Sequence, residues 1–154
     1  MPHEIRIVNT VQIRRTPAEV FAYAAAARSW PEWHPTATSV SGEVDRPVEA
    51  GDEVIEQDRF AMLKGSIHWR VRHATPALSW TIDGVVHGVP LSEGTTTSVE
   101  YVLSAQADGT RLDRTMTYNV PGRALRVLDA LYFRRHNARQ SERAVRRMKK
   151  ILES

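Results

Sequence analysis

At 154 residues with 42% apolar side chains, the chain suits one domain with a sizeable core and is too short for a second of ordinary size. It has no Cys, which excludes disulfides and thiolate chemistry, and no apolar run approaches the ~20 residues of a membrane span. The formal charge of +3 is uneven: Gly122 to Ser154 holds ten Lys/Arg against Asp129, Glu142 and Glu153, so the basic excess belongs to the last segment. That run reads either as a solvated face or as a docking face for an acidic partner. The chain opens on a strand-like segment rather than a leader, which points to a soluble cytoplasmic protein.

His3 to Arg14 alternates with period two, placing Ile5, Ile7, Val11 and Ile13 inward and Asn9 among them as the polar exception. Thr16-Pro17-Ala18-Glu19 starts a helix, with a hydroxyl at the N-cap, Pro at the first position and Glu at the third. The helix runs to about Ala27, and Ser29 to Pro35 forms a short aromatic turn closed by the second proline. Strands are expected from Thr36 to Val44, from Gly51 to Phe60 and from Gly65, the last with Ile67, Trp69, Val71 and His73 inward. The Gly51 strand has no clear face, because Val54 and Phe60 share parity with Glu56 and Asp58. After Thr75-Pro76, Leu78, Trp80 and Ile82 share a side, and Gly84 to Thr95 reads as a long mobile hairpin loop. Val99, Tyr101, Leu103 and Ala105 form the next inward set, and Asp108-Gly109 is a hairpin turn. Leu112, Arg114, Met116 and Tyr118 share one face of the last strand, and Pro121-Gly122 leads into a long helix from Gly122 to Leu152.

The apolar stripe of that helix (Leu125, Leu128, Leu131/Tyr132, Ala138, Val145, Met148, Leu152) weakens in the middle, where Asn137, Ala138 and Ser141 replace large aliphatics. This suggests a space beneath it, or else a surface or a tight crossing. Hairpin-joined strands make one antiparallel meander whose apolar face has the last helix to cover it, and a gap in that cover becomes a pocket. The expectation is a single α+β domain over 1–154: a curved antiparallel sheet of about seven strands around a long C-terminal helix, with two short helices after the first strand.

This order, with Thr16-Pro17-Ala18-Glu19-Val20-Phe21, Trp30-Pro31-Glu32-Trp33-His34-Pro35, Asp108-Gly109-Thr110-Arg111-Leu112 and Met148 to Glu153, resembles the START-like (SRPBCC) superfamily, and more narrowly its polyketide cyclase/dehydrase group. The resemblance implies a helix-grip fold enclosing a deep cavity for hydrophobic ligands. It does not imply one function, since that superfamily spans cyclases, lipid and quinone carriers, receptors and stress proteins. Aromatase/cyclases of the group are expected to carry an inward Arg just after a strand His, whereas His73 here is followed by Ala74.

Arg114 is the most informative residue, because a guanidinium among Leu112, Met116 and Tyr118 demands a partner. If the partner is Glu56 or Asp58, Arg114 is structural; if it is a ligand carboxylate, enolate or phenolate, Arg114 is an anchor. Arg114, His73 and Tyr118 are thus the candidate catalytic groups, each of the last two having a plain packing alternative. Trp33, Trp69, Trp80, Tyr101, Met116, Tyr132, Phe133, Asn137 and Ser141 are the candidate ligand-binding residues. No metal spacing, serine-nucleophile motif or phosphate loop occurs, and no cofactor is expected. Two functions follow: a cyclase/dehydrase acting on a poly-β-ketone, with Arg139, Arg143, Arg146 and Arg147 facing an acidic acyl-carrier protein, or a non-catalytic carrier or sensor of a lipid or quinone. Specific nucleic-acid binding ranks last, because the basic helix is also the internal one.

Overall fold

The computed structural model describes residues 3–60, 62–90, 92–120 and 122–154. Leu91 in the expected loop, Pro121 in the expected turn and the Phe60 side chain lie outside the described residues. The strands are β1 (His3–Ile13), β2 (Ala37–Gly42), β3 (Glu53–Phe60), β4 (Leu63–Thr75), β5 (Ser79–His87), β6 (Thr96–Gln106) and β7 (Gly109–Val120). They form one antiparallel sheet in the order β1-β7-β6-β5-β4-β3-β2. Between β1 and β2 lie α1 (Pro17–Ala24), a 3-10 turn (Ala27–Ser29) and the single turn α2 (Trp30–Trp33). The capping box predicted at Thr16 is formed in both directions, Glu19 N donating to Thr16 Oγ1 and Thr16 N donating to Glu19 Oε2.

The C-terminal helix comprises α3 (Arg123–Leu128), a π-helical turn (Asp129–Phe133) and α4 (Arg134–Leu152). Its far end is tied to β1: Lys149 Nζ donates to the Gln12 carbonyl at 2.6 Å, and Arg14 N donates to Glu153 Oε2 at 2.9 Å. α4 buries Ser141, Ala144, Val145 and Met148, and the two small residues let the backbone come close to the sheet.

Antiparallel register sorts the inner face into rows. Asn9, Arg114, Tyr101, Trp80 and Ala74 make one row; Ile7, Met116, Val99, Ile82 and Val71 make the next. Ile5, Tyr118, Thr97, Gly84, Trp69 and Val54 follow. Gly84, expected in a loop, is therefore a strand residue, and β5 continues to His87. A Cβ at Gly84 would come within 2.7 Å of the Trp69 ring and 2.6 Å of Ile67 Cγ2, so the missing side chain makes room for the indole.

Three sequence expectations are corrected. His73 is exposed, because a bulge after Val71 leaves Arg72 unpaired and shifts the alternation by one residue; Ala74 takes the inward place. Leu78 lies in the turn before β5 and is exposed, and Ala105 sits beyond the core end of β6 and is also exposed. In the C-terminal helix, the π turn rotates the face so that Asp129 is buried while Leu131, Tyr132 and Phe133 point to solvent.

Gly84→Ala is expected to displace the Trp69 ring and to destabilise the fold by about 1–3 kcal/mol; urea unfolding monitored by tryptophan fluorescence measures it.

Candidate functional site

The interior is mostly filled by aromatic packing. Trp80 stacks on Tyr101 at 4.4 Å, Phe21 meets Trp80 edge-on, and Trp33 meets Tyr101 edge-on. Trp33 Nε1 is tied off by Ser29 Oγ at 3.0 Å. Trp33 and Trp80 thus belong to the packed core rather than to a cavity wall, which corrects the expectation of a deep void lined by rings.

What remains open under α4 is a chamber of about 60 Å³, bounded by polar groups: His34, Thr36, Glu56, Asp58, Arg114, His136, Asn137, Gln140 and Ser141, with Ile67, Trp69, Val99 and Met116 completing it. The Asn137 and Ser141 interruption in the helix stripe marks this place. Of the other expected site residues, Arg114, Trp69 and Met116 also line it, and Tyr101 touches it through Arg114. Tyr118 lies outside the lining, His73 is on the outer face, and Tyr132 and Phe133 are 65% and 45% exposed.

Arg114 is 3% exposed. It donates through Nε to Tyr101 Oη at 3.1 Å and through Nη1 to Ser141 Oγ at 2.9 Å, with its charge 5.6 Å from the Tyr101 ring centre. Among the described residues no carboxylate approaches it within ion-pair distance, so neither Glu56 nor Asp58 is its direct partner. Further N–H donors of the guanidinium remain for a group in the chamber.

Glu56 and Asp58 are buried side by side because β3 turns Val54, Glu56 and Asp58 inward and leaves Ile55 at the surface. The sequence made this strand ambiguous, and the inward choice creates the site. Burial drives both carboxyls above the ordinary carboxylate range, and Asp58 is raised further by the charge of Glu56. Asp58 Oδ2 has no hydrogen-bond partner among the described residues. Glu56 also accepts a long bond, 3.4 Å, from Trp69 Nε1.

His34 extends the line. Its Nδ1 is 2.9 Å from Thr36 Oγ1, and Thr36 Oγ1 is 3.1 Å from Asp58 Oδ1. Thr36 has one hydroxyl proton for two neighbours, so either Asp58 or His34 supplies the second; hydrogen bonds thus run from Asp58 through Thr36 to His34. Burial, with the charges of Arg114 and Arg147, holds the His34 imidazole neutral by lowering its pKa to about 3. His34 and Thr36 had no signal of their own in the sequence beyond the aromatic turn that places them. His136 Nε2 and Gln140 Oε1 are also buried at the chamber without a partner.

A second cluster fastens the π turn. Tyr118 Oη donates to Asp129 Oδ1 at 2.5 Å, and Arg134 donates to Asp129 Oδ2 at 3.2 Å. Burial and this bond to a carboxylate raise the Tyr118 phenol, which keeps it a donor. Among the described residues no group of three His, Cys, Asp or Glu is placed to hold a metal, and no helix is long and apolar enough to cross a membrane.

A curved seven-stranded sheet gripping a long C-terminal helix, with a buried polar chamber between them, is the helix-grip architecture. Residues 4–153 match the polyketide cyclase / dehydrase and lipid transport family, and the chain belongs to it. Solved structures share the fold at low identity. A protein of Rhodobacter sphaeroides is 19% identical with a TM-score of 0.69, over 96% of this chain and 91% of that one. A protein of Chromobacterium violaceum is 13% identical with a TM-score of 0.71, over 100% and 99%. Ara h 8.0201 is 10% identical with a TM-score of 0.68, over 97% and 98%. No curated protein matches the sequence.

The buried Glu56–Asp58 pair dictates a pH signature. Its raised pKa means that the folded state holds a proton the unfolded state releases above about pH 4, so this contribution to stability falls as pH rises. His34 acts oppositely: its lowered pKa favours the folded state above 6.5, a benefit lost as pH falls toward 3. Above pH 6.5 only the carboxyl effect remains, and stability is expected to fall by up to about 1.4 kcal/mol per pH unit. Asp58→Asn, which still donates to Glu56, should flatten that slope in urea unfolding across a pH series.

Proposed function

We propose that the protein binds a hydrophobic small molecule whose polar end enters the Arg114 chamber, and that it acts as a cofactor-independent cyclase/dehydrase of the lyase type on a poly-β-ketone intermediate. One observation carries this reading: a buried guanidinium with no carboxylate in ion-pair range among the described residues faces the same small space as two buried carboxyls, Glu56 and Asp58. A ketone oxygen bound at Arg114 gains negative charge as its α-proton leaves, and the guanidinium offsets that charge in a site shielded from water. One carboxylate of the Glu56–Asp58 pair takes the α-proton, the enolate carbon adds to a ketone further along the chain, and the protonated carboxyl gives its proton to the new alkoxide; a second round of the same exchange removes another α-proton and protonates the new β-hydroxyl, which departs as water while the C=C bond forms. The pair ends with as many protons as it began with. Thr36 and neutral His34 let the remaining proton relocate along the line. Neither His73 nor Tyr118 enters this scheme, since the first is on the outer face and the second is engaged by Asp129.

About 60 Å³ accommodates a polar head and not a polyketide chain. The remainder of the ligand requires the segment Arg123 to Phe133 to shift; Leu125 and Asp129 are its inward holds on the sheet. The small chamber also favours a second reading, a non-catalytic carrier or sensor of a lipid, quinone or similar molecule recognised by its head group. The family description covers lipid transport as well as cyclisation. In the catalytic reading the exposed Arg139, Arg143 and Arg147 suit an acidic acyl-carrier protein.

Native mass spectrometry of the purified protein is expected to show a co-purified hydrophobic compound bearing a carbonyl or acidic group, and Arg114→Gln should lose it. With a poly-β-ketone substrate, Glu56→Gln should lower turnover by about 10²–10⁴ while ligand is still retained. Retention without turnover in the unaltered protein identifies a carrier, and an unfolded Arg114→Gln assigns that residue to structure alone.

A further inference from the structure

The C-terminal helix presents an apolar face with no cover. Val127, at the end of α3, and Leu131, Tyr132 and Phe133, in the π turn, are 58%, 57%, 65% and 45% exposed. Scattered surface apolar residues are ordinary, but four large ones within seven positions make a patch. Along this stretch of the helix the exposed charges have one sign. Between residues 122 and 141 the exposed ionised groups are Arg123, Arg134, Arg135 and Arg139, while the only acidic residue, Asp129, is buried and engaged by Tyr118 and Arg134. Strand direction adds a second exposed apolar pair at the same end of the sheet: β7 ends there, and so does the β3–β4 hairpin, whose Met62 and Leu63 are 97% and 46% exposed beside Arg59 and Lys64.

We propose that this end of the molecule docks on an anionic lipid bilayer, with the side chains of Val127, Leu131, Tyr132 and Phe133 entering the headgroup boundary and the arginines meeting lipid phosphates. Apolar and aromatic side chains flanked by cations, with no exposed carboxylate in the stretch, are what an interfacial helix needs. A second copy is a poor occupant, because pairing this face with itself sets arginine against arginine. The buried Asp129 clamp fits the same use, since it satisfies the inward carboxylate and leaves residues 122–141 with no exposed carboxylate.

Sedimentation with phosphatidylcholine vesicles, with and without phosphatidylglycerol, tests the proposal on the full chain. Binding is expected only to the anionic vesicles and to weaken as salt rises. Leu131→Ser combined with Tyr132→Ser should reduce it roughly tenfold or more. Arg135→Glu combined with Arg139→Glu should reduce it roughly fivefold for each charge removed. All four side chains are exposed, so unfolding midpoints should stay unchanged and a loss of binding cannot be put down to misfolding. Arg114→Gln should bind vesicles normally, which separates failure of this proposal from failure of the chamber reading. Binding to neither vesicle, equal binding to both, or binding that both double variants leave intact overturns it. So does a patch-dependent association with a second copy or an acidic protein when vesicles are ignored.

Discussion

A guanidinium buried on the inner face of the sheet, one strand in from its edge, sets the terms for everything around it. Arg114 stands in the row with Asn9, Tyr101, Trp80 and Ala74, under the middle of α4, and it is nearly sealed from solvent. Taking such a charge out of water is costly unless dipoles or an anion replace the lost hydration. The chain answers with neutral acceptors, a phenol and a serine hydroxyl, and with a ring face, rather than with a direct ion pair. Ser141 makes that answer possible only because α4 carries small residues there, so the weak centre of the helix stripe and the buried arginine are two sides of one arrangement.

Negative charge is nearby but held back. Glu56 and Asp58 line the same chamber, yet burial raises both above the ordinary carboxylate range, and Asp58 is tied through Thr36 to His34. A carboxylate placed directly against Arg114 would have neutralised it and closed the site. Separation keeps both functions available, a cation with spare donors and a proton store. The unpartnered His136 Nε2 and Gln140 Oε1 belong to the same pattern of polar groups arranged around a space rather than around one another.

Much of the architecture could be read from the chain because it rests on local periodicity. The β1 alternation, the Thr16 capping box, the Asp108-Gly109 turn and the long final helix each carry their own signal. The errors came where one residue shifts a register. A bulge at Arg72 turned His73 outward, and a π turn at Asp129 turned Leu131 and Tyr132 outward; neither irregularity leaves a trace in apolar spacing. Gly84 reads as a loop residue because glycine usually marks one, whereas its role is to accept the Trp69 ring from the neighbouring strand. For the site, Arg114, Asn137 and Ser141 were visible as polar breaks in apolar patterns. Glu56 and Asp58 were visible only as an ambiguity of β3, and His34 and Thr36 not at all, because their meeting depends on how α2 and β2 pack beneath the helix.

The π turn links the chamber to the outer surface. Inserting one residue per turn brings Asp129 inward, where Tyr118 and Arg134 hold it, and at the same step carries Leu131, Tyr132 and Phe133 outward. A regular helix would have buried apolar side chains over the end of the sheet and sealed it with hydrophobic contacts. Here the closure depends largely on one carboxylate, whose bonds to a phenol and a guanidinium can exchange for water more readily than a packed leucine can leave a core. The same segment carries the Asp129 clamp on its inner side and exposed apolar side chains on its outer side. If the chamber opens and the surface docks as proposed, both events act on this single stretch of chain.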